Sequence, residues 1–122
     1  EHNMAVIAPV NTFPIETAQD VAVTLWSPMV LSDTATPVRL GLFSDRTVQV
    51  AGTFGGATLA LAGSNDGTNY VTLYDAQGSP LSFTGAGLKA IVELPVFIKP
   101  ILSGGDGTTS LAVTLAGRRS IR

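Results

Sequence analysis

The feature that most constrains this chain is an alternation of apolar and polar residues with a period of two, which recurs from residue 20 to residue 115. In the run 46–54, for example, Val48 and Val50 alternate with Thr47 and Gln49. A period of two places successive side chains on opposite faces of a β-strand, so one face is buried and the other is solvated. No long helical pattern competes with it. The sequence therefore predicts an all-β fold.

The strand count follows from the turn residues that separate these runs. Glycine, proline, asparagine and aspartate interrupt the apolar pattern at close spacing, and 122 residues fit one domain. Many short strands in one domain are typical of a β-sandwich or jelly roll, here of about eight short strands. The predicted strands lie at residues 20–26, 38–42, 46–54, 59–61, 69–75, 88–94, 96–101 and 110–115.

Two turn segments and one segment bounded by prolines predict how neighbouring strands connect. The Asn-Asp-Gly sequence at 65–67 predicts a hairpin, and the glycine-rich segment 104–107 predicts a second hairpin turn. Pro95 and Pro100 have no backbone N–H to donate. The segment between them is therefore expected at a sheet edge or at a crossing between sheets.

The chain divides into an extended N-terminal arm at residues 1–18, a β-sandwich domain at 19–117 and a short basic tail at 118–122. We expect the arm to dock on another protein, although packing on its own sheet is the alternative. Trp26 is interpreted as a core or interface anchor, and the basic tail as a contact for nucleic acid or an acidic protein face, or as a solvated terminus. The candidate protein-interaction residues are Val6, Ile7, Val10, Phe13, Ile15, Trp26, Arg118 and Arg119.

The sequence offers no recognisable catalytic or metal-binding constellation. The sole histidine is His2, there is no cysteine, and the acidic residues fall mostly at turn positions such as Asp66 and Asp106. These features predict that the protein is not an enzyme and holds neither a metal ion nor another cofactor. No apolar run reaches the ~18 residues of a membrane span, which predicts no membrane insertion. A net charge of −2 disfavours a nucleic-acid partner.

Composition favours contact with other proteins. Only 13% of the residues are charged, against roughly a quarter in typical domains, so threonine, serine, glycine, alanine and asparagine must cover much of the surface. An aromatic platform for sugars or bases is an alternative, although outward aromatic residues more often stabilise cross-strand pairs. Its candidate members are Phe54, Tyr70, Tyr74 and Phe83.

A longer pattern, across roughly residues 46–119, resembles small structural proteins of tailed bacteriophages. It consists of the run from Val48 to Tyr70, the segments 73–78 and 98–100, the segment 104–111 and the closing Arg118-Arg119. The resemblance implies a capsid decoration (cement) protein on the outside of the virion, made in the host cytoplasm, which binds the major capsid protein. It also implies a structural role in which neighbouring capsid subunits are clamped together.

Two other functional classes remain open. The segment 64–67, followed by Tyr70, is similar to a hairpin of discoidin-type sugar-binding jelly rolls, which implies a carbohydrate-binding adhesion module. A tail or baseplate structural subunit would share the same β pattern. Symmetric self-association would add multivalent attachment to a symmetric shell, so a homo-oligomer is expected, with a trimer slightly favoured over a dimer.

Overall fold

A computed structural model describes residues 6–11, 21–39 and 45–118, and this part of the chain contains strands and no helix. It confirms the predicted all-β class and is consistent with a β-sandwich. Six strands are at least five residues long, and six have only two residues. The strands are β1 (Val6–Ile7), β2 (Val10–Asn11), β3 (Val21–Val30), β4 (Thr34–Ala35), β5 (Val38–Arg39), β6 (Asp45–Thr53), β7 (Ala57–Ser64), β8 (Val71–Thr72), β9 (Ser82–Phe83), β10 (Gly87–Ile91), β11 (Phe97–Gly104) and β12 (Ser110–Arg118).

The longer strands lie in two sheets. The first sheet has the order β10-β6-β12-β3-β2. The second has the order β5-β11-β7-β8, and β9 also pairs with β7. A small third pairing joins β1 to β4 in parallel. Apart from that pairing, every ladder is antiparallel.

The two sheets are halves of one long ribbon folded over itself. In the first sheet β6 pairs with β12, and in the second β7 pairs with β11. The chain crosses between the sheets at residues 54–56 and returns at 105–109. The outer strands follow the same path. On one side of the ribbon, β10 flanks β6 in the first sheet and β9 flanks β7 in the second. On the other side, β3 flanks β12 and β5 flanks β11. The architecture is therefore a four-stranded ribbon bent at one corner.

The Thr109 side chain joins the two crossing segments at this corner. The Thr109 hydroxyl donates to the Phe54 carbonyl at 2.8 Å, and the Asp106 amide donates to the Thr109 oxygen at 3.0 Å. Gly55 has a φ of 56°, and a Cβ there would meet side-chain oxygens of Thr108 and Thr109 at 2.8 and 2.9 Å. Glycine is thus required at this position by both backbone conformation and close contact.

The corner corrects one sequence prediction. The segment 104–107 is not a hairpin turn, because β11 and β12 lie in different sheets and do not pair with each other. The hairpin predicted at 65–67 is present, since β8 returns antiparallel to β7.

Pro100 lies within β11, opposite Leu61 of β7. The amide of Leu61 donates to Leu81 and its carbonyl accepts from Leu73, both on the far side of β7. Pro100 and Leu61 therefore form a pair without backbone hydrogen bonds, and the absent proline N–H leaves no unpaired acceptor on β7. The expectation of a sheet edge is wrong for the start of β11, because residues 97 and 98 pair with β5 on one side and β7 on the other.

The core lies between the sheets and is formed by the inward residues of the long strands. Trp26 is fully buried there, and its indole N–H donates to the Thr36 carbonyl at 2.9 Å. Arg46 is also buried, and its guanidinium donates to the Pro95 carbonyl at 2.8 Å. The largest fully buried side chains are Trp26, Met29, Leu59, Leu61, Leu73, Leu81, Ile98, Leu111, Leu115, Val48, Val50 and Val113.

The described part of the predicted arm lies against the chain's own strands. β1 pairs with β4, and β2 pairs with the edge of β3. Ile7 packs against the core, and its carbonyl accepts from the Thr36 amide at 3.0 Å. At the other end, Arg118 of the predicted tail is the last residue of β12.

Candidate interaction surfaces

The turn carboxylates are bound within their own loops. Asp66 accepts hydrogen bonds from the Asn69 and Thr68 amides, both at 2.8 Å, and from the Ser64 hydroxyl at 2.7 Å. These bonds, the Asn69 amide first, hold the pKa of Asp66 well below its usual range. Turn geometry therefore accounts for this acid, as the sequence indicated.

Asp75 and Asp106 are held in the same way. The Ser79 and Gln77 amides donate to Asp75 Oδ1, and the Lys89 ammonium lies 3.7 Å from Asp75 Oδ2. The hydrogen bond from the Ser79 amide is the main cause of the lowered pKa of Asp75. The Thr108 hydroxyl and amide lower the pKa of Asp106. Across residues 6–11, 21–39 and 45–118, no cluster of three or more histidine, cysteine, aspartate or glutamate residues could hold a metal ion.

The first of two candidate surfaces is the outer side of the first sheet. Except at one end, its described side chains carry no charge, and we call this part the uncharged face. One row crosses all five strands, since Leu88, Gln49, Thr114, Leu25 and Val10 are register partners in turn. The residues of the uncharged face are Val10, Val23, Leu25, Thr47, Gln49, Ala51, Thr53, Leu88, Ala90, Ala112, Thr114 and Ala116.

The uncharged face is broad and partly apolar. Leu88 is 66% exposed and Val10 is 58% exposed, at opposite edges of the row. With strands ~4.8 Å apart and a rise of ~3.4 Å per residue, five strands over about six residues cover roughly 500 Å². Charge begins only at one end of the face, where Asp45 and Arg118 are direct register partners. A depression of about 490 Å³ lies beside that pair.

The second candidate surface is a groove of about 760 Å³ at the end of the sandwich away from the corner. We call it the tyrosine groove. One wall is the segment 63–74, and the other is the segment 93–95. Its lining residues are Gly63, Ser64, Asn65, Asn69, Tyr70, Val71, Thr72, Leu73, Tyr74, Glu93, Leu94 and Pro95.

Hydrogen bonds fix the two walls of the tyrosine groove. The Tyr74 amide donates to Glu93 Oε1 at 2.9 Å, and the Val92 amide donates to the Tyr74 carbonyl at 3.1 Å. The Val96 amide donates to Asn65 Oδ1 at 3.1 Å. These bonds join segments far apart in sequence, so the shape of the groove is preorganised.

Tyr70 and Tyr74 differ in their surroundings. The Lys99 ammonium lies 4.3 Å from the centre of the Tyr70 ring, and the Tyr70 hydroxyl is buried without a hydrogen-bond partner among the described residues. Tyr74 is 42% exposed. Phe83 and Phe54, the other two members of the aromatic platform weighed from the sequence, pack in or against the core. The four aromatic residues therefore do not form one platform.

The structure separates the interaction residues proposed from the sequence. Val10 belongs to the uncharged face and Arg118 borders it, whereas Val6 lies on β1 and is 68% exposed. Ile7 is half-buried against the core, and Trp26 is a core residue of the single chain. Phe13, Ile15 and Arg119 lie outside the described residues. Both candidate surfaces were missed, because they depend on strand register and on contacts between loops.

Within residues 6–11, 21–39 and 45–118, the structure contains no helix that could span a membrane.

No protein-family model matches the chain, and no curated protein matches it. Among solved structures it is similar to the SPBc2 prophage-derived protein YomS, with a TM-score of 0.52 and 10% identity over 80% of this chain and 93% of that chain. At this identity the likeness shows a shared fold.

Two further likenesses to solved structures are weaker. FeII HppE gives a TM-score of 0.42 at 10% identity, over 84% of this chain and 44% of that chain. The IMPa metallopeptidase in complex with T-antigen gives 0.39 at 15% identity, over 82% of this chain and 12% of that chain.

Proposed function

We propose that this protein is a non-catalytic structural component of a bacteriophage virion, a capsid decoration protein that binds the major capsid protein from outside. The uncharged face is the docking surface. By spanning neighbouring capsid subunits it strengthens the joints between them. The protein is accordingly located on the capsid exterior.

The observation that carries this proposal is that the described side chains of the uncharged face carry no charge. Burying an unpaired charge costs several kcal/mol, whereas small apolar and hydroxyl side chains are desolvated at low cost. The cores of protein interfaces are depleted in charged residues for this reason. A five-stranded sheet also presents these side chains rigidly, so little conformational entropy is lost on docking.

The size of the uncharged face supports attachment in more than one place. Its area of roughly 500 Å² is below the ~800 Å² that each partner contributes to a standard interface. Adjacent loops or a second copy of the chain would supply the remainder. A homo-oligomer, with a trimer favoured, multiplies weak contacts on a symmetric shell. The fold shared with a prophage-derived protein is a second support.

Gln49 lies in the middle row of the uncharged face, which makes it the position to test. We expect Gln49→Lys to weaken binding to empty capsids, assembled from the major capsid protein of the same genome, by at least about tenfold, because the lysine charge is desolvated on docking. Cosedimentation with capsids measures the affinity. Since Gln49 is exposed, the melting temperature should stay within about 2 °C of that of the unchanged protein.

Gln77→Lys is the matched control, since Gln77 is exposed in a turn outside the uncharged face. It makes the same chemical change and should bind capsids as the unchanged protein does. Equal affinities for the two variants would contradict docking through this face.

Immunogold labelling of intact virions distinguishes a capsid protein from a tail or baseplate protein. Label confined to the tail would refute the decoration role.

A further inference from the structure

We propose that the tyrosine groove is a binding site for a neutral oligosaccharide. This activity goes beyond attachment to a capsid and uses a different surface. The groove lies at the end of the sandwich, whereas the uncharged face lies on its side. A domain docked through the uncharged face would therefore leave the groove open to solution.

The charges that line the groove define the class of ligand. Glu93 is the one charged residue among the lining residues. Two described cations contact lining residues: the Lys99 ammonium lies 4.3 Å from the centre of the Tyr70 ring, and Arg46 donates to the Pro95 carbonyl at 2.8 Å. The negative charge that Glu93 brings into the groove opposes the binding of phosphates, uronic acids and sialic acids. The groove thus favours an uncharged ligand.

Three planar polar side chains each use one atom to build the groove and keep another for a ligand. Glu93 Oε1 accepts from the Tyr74 amide, and Oε2 has no described partner. Asn65 Oδ1 accepts from the Val96 amide, which leaves its Nδ2 as a donor. Asn69 Nδ2 donates to Asp66 at 2.9 Å, which leaves its Oδ1 as an acceptor. Such fixed donors and acceptors match the paired hydroxyls of a sugar.

The groove also offers apolar contact beside these polar atoms. The Tyr74 ring is 42% exposed, and Val71 and Leu94 are each more than half exposed. A pyranose ring presents C–H groups on one side, which pack against an aromatic face with its negative quadrupole. Hydroxyls and C–H faces together need a surface of this mixed kind. The volume of about 760 Å³ lies within the range of small-molecule sites.

The experiment begins with an array of neutral and acidic oligosaccharides probed with the full chain. We expect neutral oligosaccharides to bind and acidic ones to be excluded. The tightest neutral oligosaccharide is then titrated by calorimetry. Tyr74→Ala should weaken its binding at least tenfold. Ile101→Ala is the matched control, because Ile101 has the same exposed fraction, 42%, and lies outside the groove.

Glu93→Gln tests the charge argument separately. Glutamine keeps an oxygen for the Tyr74 amide, so the groove should hold its shape while acidic oligosaccharides gain affinity relative to neutral ones. The proposal is overturned if no neutral oligosaccharide on the array binds, if Tyr74→Ala binds as well as Ile101→Ala, or if the groove captures peptides instead. Capsid binding by Tyr74→Ala should be unchanged, so the two proposals fail independently.

Discussion

At the scale of single residues, three aspartates show how this chain stabilises its loops. Asp66, Asp75 and Asp106 each accept backbone amides two to four residues further along the chain. A carboxylate binds these amides best when it is ionised. The folded state therefore lowers the pKa of all three carboxyl groups.

This pattern predicts the response of the protein to acid. A carboxyl group with a lowered folded-state pKa contributes stability above its unfolded pKa of about 4, and that contribution is lost as pH falls toward the folded value. We expect the melting temperature to fall steadily below pH 4. Asp66→Asn should lower the melting temperature at pH 7 and flatten its decline in acid. A decline as steep as that of the unchanged protein would contradict this role for Asp66.

Some residue positions could be predicted from the sequence and others could not. Val48 and Val50 are buried as their alternation indicates, and Trp26 fills the core. The alternation at 69–75 predicts that Val71 shares a buried face with Leu73, yet Val71 is exposed. Its strand β8 has only two residues, so the alternation does not continue from Val71 to Leu73. Alternation in the sequence predicts which side chains are buried only where the strand is long enough for the alternation to continue along it.

At the scale of elements, the second strand protects an edge. β2 covers Thr24 and Leu25 of β3, which would otherwise end the first sheet. An uncovered strand edge presents unpaired N–H and C=O groups that invite pairing with other chains. The N-terminal residues thus contribute to the domain itself, whatever they contact outside it.

Deleting residues 1–11 tests this contribution. We expect the free energy of unfolding to fall by about 2 kcal/mol, from lost burial of Ile7 and lost strand pairing. Urea denaturation measures the change, and deletion of residues 1–5 is the control. If the truncated protein instead keeps its stability and binds capsids at least tenfold more weakly, the segment acts mainly on a partner.

The glycine-rich segments show where element-level prediction stops. The sequence at 104–107 has the composition of a hairpin turn, but it joins strands of different sheets. A tight turn specifies a local change of chain direction, and the pairing of the flanking strands is decided by packing far away. The crossing depends on a contact between residues far apart in sequence, the hydrogen bond from Thr109 to Phe54. The uncharged face could not be predicted from the sequence for the same reason, because its outward residues come from five strands whose order and register depend on distant contacts.

At the scale of the whole molecule, the bent ribbon separates the two candidate surfaces. The corner closes one end of the sandwich, and the tyrosine groove lies at the opposite end. The outer side of the first sheet presents the uncharged face. Under the two proposals, the domain attaches by its side and presents a binding groove at its end.

The bent ribbon also sets the pace at which a new copy becomes functional. Residues 45–53 pair with residues 110–118, so the chain must be synthesised through residue 118 before the central ladder can close fully. Closing such distant segments is slow, and we expect refolding in milliseconds to seconds, measured by stopped-flow Trp26 fluorescence. Microsecond refolding would contradict a ribbon that closes late. During that interval the uncharged strands are open to neighbouring chains, so temperature and the rate of synthesis should govern how many copies escape aggregation.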